Sequence, residues 1–460
     1  MALAACVQAL QDGRVVAVKG VGGYHLMCDA ASSAAVAYLR ERKPRPHKPL
    51  ALMCPDTAEL AVLRDVVLLS ADEEQLLRSP ARPIVLAQRR PGCRVAEEVA
   101  PGLGVVGVML PYSPLHHLLL NACGTALVAT SANLSGEPVM TDAASVEQRL
   151  GGVAQAFLHH NRPIVRPADD PVYRTIRGRA RPLRIGRGNA PLELRLPVEL
   201  DRPVLAVGGH MKNTVCLAWG ARAVVSPHIG DMGTARSLEV FEQLVADLQS
   251  LYGVRAEALI CDRHPGYATT RWAQRQRLPC VEVQHHAAHA AALVGEQAGD
   301  SAPGDWLVFT WDGVGYGSDG ELWGGEAVHG AVGGRGEGQR GRAAHRGRRV
   351  VDHVRVDDRI NRGGAVGAEI HDRHPRSCGD GSVARPNDAM PEVEARPTDA
   401  RHPGGDVDLF PGHSGQLGSE NELIFVLADV DPAQWQPQFA GEAFGDRQCL
   451  LTEVTSGLFE

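Results

Sequence analysis

Lysine is almost missing from this chain. Of 47 basic residues, only Lys19, Lys43, Lys48 and Lys212 are lysine. Arginine has taken its place nearly everywhere, as a GC-rich coding bias would produce. A lysine that survives such a bias marks a position where a compact ammonium is needed and a broad planar fork does not serve. Aromatic residues are also sparse, at 5%. No apolar run approaches the ~18 residues of a spanning helix, so the chain is expected to have no membrane segment. The opening stretch MALAACVQALQDGR lacks the basic region of a secretory leader. None of the ten cysteines sits in a CxxC pair, which argues against a zinc ribbon or a thioredoxin-like site and fits scattered thiols in a reducing, cytoplasmic setting. A net charge of −7 removes any global electrostatic case for nucleic acid, leaving only local basic patches. Finally, leucine and aromatic residues are both absent from residues 324–408.

Against these absences stand 44% apolar residues and 460 positions in all, enough for roughly three domains with sizeable cores. Residues 1–190 alternate short apolar runs (14–19, 83–87, 105–110, 126–130) with helix-like segments (31–42, 73–78, 143–150), the pattern of an α/β domain with a mixed sheet. Residues 191–203 carry prolines and polar residues and are expected to be a linker. Residues 204–328 begin a second α/β unit, with a hairpin expected over 215–225 and a helix over 238–252. Its strands at 259–261 and 307–311 each end in an aspartate, Asp262 and Asp312. Carboxylates at strand C-termini are where open α/β sheets bind ligands. Residues 329–460 break the pattern. Their Arg-, Gly-, His- and Asp-rich composition is expected to give an irregular, low-order region, and the abruptness of the break favours a shifted reading frame over a natural tail.

Three stretches of the first unit carry chemistry. VKGVGGYHLMCDA (18–30) is a strand running into glycines, where backbone amides can approach an anion. RERKPRPHKPL (40–50) sets five cations among prolines that stiffen the segment, either a solvated loop or a triphosphate clamp. TSANLSGE (130–137) ends a strand in small hydroxyl and amide side chains suited to phosphate oxygens, or to an ordinary turn. Together they resemble the YrdC-like nucleotide-binding domain, whose KxR, following lysine and distant SxN correspond here to Lys43, Arg45, Lys48, Ser131 and Asn133. The resemblance implies that these residues and Lys19 hold ATP with its magnesium, and that Lys43, Arg45 and Lys48 offset the charge that develops as a small acid is adenylated.

In the second unit, QHHAAHAAA (284–292) places His285 and His289 at i, i+4 on one helix face, a common way to offer two imidazoles to one metal; three exposed histidines are the equally weighted alternative. GGHMKNTVCL (208–217), SPHIGDMGT (226–234), DRHPGYATTRWA (262–273) and DGVGYGSDGELWGGE (312–326) complete a pattern similar to the carbamoyltransferase domain of the HypF family, with its ASKHA-type two-lobed fold. A YrdC-like domain followed by this one is the HypF arrangement. The resemblance implies a divalent metal, iron or zinc, on His285, His289 and Asp312, with Lys212 near the second active site. It also implies carbamoyl phosphate and ATP as substrates, carbamoyl-adenylate as intermediate, and the C-terminal cysteine of a HypE-type protein as acceptor in [NiFe] hydrogenase maturation.

The family's acylphosphatase-like domain and CxxC zinc motifs have no counterpart here, and the match stops near residues 326–328. The complete transfer reaction is therefore expected to be weak in this chain. Two other readings remain: a YrdC-like module with weak double-stranded RNA binding, and a threonylcarbamoyl-adenylate synthase.

Overall fold

The computed structural model describes residues 1–43, 48–134, 136–297, 305–317, 320, 322–331, 351–355, 421–428 and 450–455. The first unit is a mixed sheet of ten strands. Along the sheet their order is Arg179–Arg184, Val172–Ile176, Ile84–Arg89, Val105–Met109, Leu52–Met53, Leu127–Ser131, Tyr24–Asp29, Val16–Lys19 and Ala156–Leu158, with Val67–Leu68 paired to Ile84–Arg89. The sheet is covered on both faces, which explains why its strands read as continuous apolar runs rather than alternating ones. Successive residues of Val16–Lys19 go to opposite cores. Ala17 packs with Leu26, Val85, Val128 and the helical Val36, Leu39 and Leu77. Val16 and Val18 pack instead with Met27, Met109, Leu127 and the helical Cys6, Leu10 and Leu119.

Helix boundaries follow short polar side chains. Ser32 caps Ser33–Arg42, and Ser70 forms a reciprocal capping box with Glu73 at the start of Ala71–Arg78. Asp142 and Thr234 cap Ala143–Leu150 and Ala235–Tyr252 in the same way. These helices lie where the sequence predicts them, whereas Ala2–Gln11, Pro114–Cys123 and the strand Tyr24–Asp29 were not anticipated.

The expected linker is corrected. Residues 192–206 form one long strand, Leu192–Ala206, paired antiparallel with Cys216–Val225. Its stretch LELRLPVEL alternates apolar and polar residues with the period of a strand, a signal that the prolines at 197 and 203 obscured. The expected hairpin over 215–225 is likewise one continuous strand, whose partner is the supposed linker. Parallel addition of Ala258–Asp262 and Cys280–Val283 completes a four-stranded sheet. Its core is formed by Leu205, Leu217, Phe241, Val245 and Leu259.

Within residues 329–460 the described residues are short strand segments. Leu322–Ala331, Val351–Arg355, Asn421–Ala428 and Leu450–Thr455 pair antiparallel with one another or with Asp305–Tyr316 in a five-stranded sheet. Leu423–Leu427 and Leu450–Thr455 are rich in the apolar and β-branched residues that suit a pleated surface. The rest of 329–460 lies outside the described residues.

The two α/β units touch through several polar contacts. Asp169 accepts from His228 Nδ1 at 2.8 Å, Arg236 donates to the Val139 carbonyl at 3.0 Å, and Ser237 Oγ donates to the Gly136 carbonyl at 3.3 Å. Arg166 pairs with Asp247. Beside these contacts lies a cavity of about 270 Å³ bordered by Val139, Asp169, His228 and Gln243.

Candidate functional sites in the two α/β units

Strand Leu127–Ser131 runs antiparallel to Tyr24–Asp29, with Ser131 opposite His25. Helix Ser33–Arg42 ends beside them, and its C-cap is Lys43. Lys43 is 7% exposed. Its Nζ donates to Asn133 Oδ1 at 2.8 Å and to the Ser131 carbonyl. Ser131 Oγ donates to the same Asn133 Oδ1 at 2.8 Å, and Asn133 Nδ2 donates to the Glu137 carbonyl at 2.7 Å. The lysine of one motif and the serine and asparagine of the other, about ninety positions apart, therefore form one hydrogen-bonded cluster. Lys48 is half-buried. The segment carrying it is pinned by Arg40, which donates to the carbonyls of Lys48 at 3.0 Å and Val99 at 3.1 Å. Arg40 was not singled out in the sequence, where it read only as one cation of a basic run. Arg45 lies outside the described residues. Lys19 is buried, pairs with Tyr24 across the strands next to His25, and donates to the His160 carbonyl at 3.1 Å.

The glycine turn does something other than what the sequence suggests. The Gly20 amide is spent inside the turn, on the Gly23 carbonyl at 2.8 Å. A Cβ on Gly22 would come within 2.3 Å of the Ala168 carbonyl oxygen, and one on Gly23 within 2.3 Å of Val139 Cγ2. The glycines thus admit two protein loops to the strand, one of which carries Asp169 and Asp170.

In the second unit, strand Ala258–Asp262 ends in Asp262, which is 7% exposed at its side chain. Its Oδ2 accepts from His285 Nδ1 at 2.8 Å, and its Oδ1 accepts from the His264 amide at 2.8 Å. His285 opens the helix His285–Gln297. Its Nε2 lies 3.2 Å from His289 Nε2, one turn on. A carboxylate on Nδ1 fixes the tautomer that presents Nε2 as a lone pair, the arrangement of metal-ligating histidines. Two imidazole nitrogens that converge this way fit a divalent cation. Among the described residues no three metal-ligating side chains converge. Asp312 lies on strand Asp305–Tyr316, which packs on the same helix through Gly315 against His286, and its side chain lies outside the described residues. Asp262 was visible in the sequence only as a strand-terminal carboxylate, with no partner to name.

Lys212 adopts left-handed backbone, φ 48°, and its amide donates to Asp231 Oδ1 at 3.1 Å. The turn is held by Asn213, fully buried, which donates to the carbonyls of Val207 at 2.9 Å and Gly209 at 2.7 Å. A Cβ on Gly209 would lie 3.8 Å from His285 Cε1, so the Lys212 turn and the histidine pair share one neighbourhood.

A sheet domain with a lysine–serine–asparagine grip, followed by a unit with a carboxylate-oriented histidine pair, defines a two-site protein of the Sua5/YciO/YrdC plus Kae1-like class. A family profile described as telomere recombination (Sua5, YciO, YrdC) matches residues 8–186. A second, described as the HypF Kae1-like domain, matches residues 199–296. The chain is 43% identical over 325 residues to carbamoyltransferase HypF of Synechocystis, covering 71% of this chain and 42% of that protein. HypF of Rhizobium leguminosarum is also 43% identical over 329 residues, covering 69% and 42%. A crystal structure of full-length HypF in a phosphate- and nucleotide-bound form superposes with a TM-score of 0.68 at 38% identity, covering 72% of this chain and 51% of that one. The chain belongs to the HypF carbamoyltransferase family. It spans about two fifths of the length of the curated relatives it matches.

Proposed function

We propose that this chain takes part in ATP-dependent carbamoyl transfer in hydrogenase maturation, with the complete transfer weak in these residues alone. The observation that carries the proposal is the cluster in which Lys43 Nζ meets Asn133 Oδ1 at 2.8 Å and the Ser131 carbonyl. It joins a cation to hydroxyl and amide groups at a strand end, as a triphosphate and a small acid require. The nucleotide-bound form of the HypF relative supports the same reading.

In the first unit, a carboxylate oxygen of carbamate, the hydrolysis product of carbamoyl phosphate, attacks the α-phosphorus of magnesium-ATP. A new C–O–P linkage forms, the bond to the β-phosphate breaks, and pyrophosphate leaves with the electron pair. Lys43, Lys48 and Arg45 offset the charge that builds on the departing pyrophosphate. Asn133 and Ser131 position the phosphate oxygens, with Lys19 supporting the adjoining strand.

In the second unit, His285 and His289, with Asp312 on the neighbouring strand, would hold iron or zinc, which supplies Lewis-acid polarisation of the bound adenylate. Asp262 keeps the Nε2 lone pair of His285 directed at the cation. Lys212 adds positive charge where AMP departs. The acceptor is the C-terminal thiolate of a HypE-type protein: sulfur bonds to the carbamoyl carbon, the C–O bond to phosphate breaks, and AMP leaves with the electron pair. Among the described residues no helix is long and apolar enough to cross a membrane.

The test is pyrophosphate release from magnesium-ATP by the purified chain. Release should depend on carbamate or carbamoyl phosphate and fall when Lys43 or Asn133 is replaced. Release that requires threonine with bicarbonate assigns the threonylcarbamoyl-adenylate reaction instead. Salt-sensitive retention of double-stranded RNA without ATP turnover assigns the binding-module reading.

A further inference from the structure

The loop that carries Asn133 is held by both α/β units. Between strand Leu127–Ser131 and helix Ala143–Leu150 the described residues form no helix or strand, and Gly136 turns there through left-handed backbone, φ 76°. Three carbonyls of this turn have partners on two different units. The Gly136 carbonyl accepts from Ser237 Oγ at 3.3 Å. The Glu137 carbonyl accepts from Asn133 Nδ2 at 2.7 Å. The Val139 carbonyl accepts from Arg236 Nη2 at 3.0 Å. The middle acceptor thus serves the nucleotide grip, and the acceptors on either side of it are fixed by the first turn of helix Ala235–Tyr252 in the second unit.

That helix turn is itself well anchored. Thr234 Oγ1 accepts from the Ser237 amide at 3.1 Å, and Ser237 is fully buried. Arg236 is half-buried; burial lowers its pKa, and the Glu137 carboxylate opposes that shift. Glu137 is paired with Arg149 at 2.9 Å. A carbonyl can only accept, so that of Glu137 holds the NH2 end of Asn133 and leaves Oδ1 for Lys43 Nζ and Ser131 Oγ, each at 2.8 Å. Were the Glu137 carbonyl to swing away, the amide could turn its NH2 toward the Lys43 ammonium, donor against donor.

We propose that Arg236, with Ser237 beside it, is a positioning residue for nucleotide binding in the first unit: it braces the turn at 136–139 so that the Glu137 carbonyl orients the Asn133 amide. Both residues act through the loop, from outside the grip. The proposal rests on the nucleotide-binding reading above and adds to it a contribution from the second unit. The ATP site is complete only when the unit that bears the histidine pair is docked against it.

The experiment is calorimetric titration of the full chain with magnesium-ATP. Arg236→Met keeps the apolar stem and removes the donor. The dissociation constant should rise about tenfold, as for one lost hydrogen bond to a charged group. Arg236→Gln, whose amide stops short of the Val139 carbonyl, should do the same, and it decides the matter should Arg236→Met not fold. Arg166→Met breaks the exposed Arg166–Asp247 pair between the same two units without touching the turn, and its constant should stay within about twofold of the parent. In an Asn133→Ala background Arg236→Met should add less than about twofold, because the residue it acts through is gone. Parent-like affinity in every folded Arg236 variant, an equal rise in Arg166→Met, or an undiminished rise in the Asn133→Ala background overturns the assignment while leaving the nucleotide-binding reading intact. If the unmodified chain does not bind magnesium-ATP, that reading fails and this proposal falls with it.

Discussion

Replacing Lys43 by methionine separates binding chemistry from packing. Methionine keeps the length and apolar character of the lysine stem and deletes only the ammonium of a residue that is 7% exposed. Two acceptors lose their donor, Asn133 Oδ1 at 2.8 Å and the Ser131 carbonyl. Asn133 Oδ1 is compensated by Ser131 Oγ, also at 2.8 Å, so the stability cost should stay near the low end of the ~1–3 kcal/mol for a broken buried bond. The effect on adenylation is larger. A unit charge about 4 Å from a phosphate oxygen is worth ~4 kcal/mol at an effective dielectric of about 20, and comparable removed donors cost roughly 100- to 1,000-fold in turnover. Pyrophosphate exchange should therefore drop by about two to three orders of magnitude, while urea unfolding shifts by about 1 kcal/mol. Lys43→Arg should not restore it, because the slot between Asn133 and Ser131 accepts a point ammonium and not a planar fork. Exchange within threefold of the parent in Lys43→Met would refute the reasoning, since the surviving lysine would then be merely structural.

Other outcomes follow from the same geometry. Asp262→Asn replaces the acceptor that orients His285, so cobalt or zinc titration should show affinity falling about 10- to 100-fold; unchanged affinity would remove Asp262 from the site. His116 is fully buried, with neither ring nitrogen partnered among the described residues, and burial first, then the charge of His25, lowers its pKa to about 3. Between pH 6.5 and about 3 the unfolded chain binds a proton that the folded chain refuses. Stability should thus fall with acidification by up to about 1.4 kcal/mol per pH unit, and His116→Leu should flatten that slope in urea titrations at pH 7 and 5. Asp170 has the same sign in a lower window: its contribution is present above about pH 4 and is lost as the pH falls towards its depressed folded value. Gly23→Ala should destabilise by about 1–3 kcal/mol through collision with Val139. Val139→Ala should recover part of that loss in a double-mutant cycle, whereas Gly22→Ala meets the backbone carbonyl of Ala168 and no side-chain change should rescue it.

Much of this molecule is legible in one dimension, and the limits are physical. Short-range rules act between neighbours along the chain, so the strand 16–19, the helices 71–78, 143–150 and 235–252, and the i, i+4 placement of His285 and His289 follow from apolar period and capping residues. The rarity of lysine isolated Lys43 before any fold existed, because composition is independent of conformation. What the order of residues does not contain is which distant groups meet. The role of Asp262 needed the register of one strand against one helix. The long strand 192–206 needed its partner at 216–225 to be known as a strand and not a linker. The glycines after Lys19 looked like an anion cradle and turned out to admit the loops of Val139 and Ala168. His25, Asp170 and Arg187 lie in three separate segments, and only closure of the sheet and its flanking loops buries them together. Burial, dielectric and tautomer are properties of a packed environment, and packing exists only once the chain has folded.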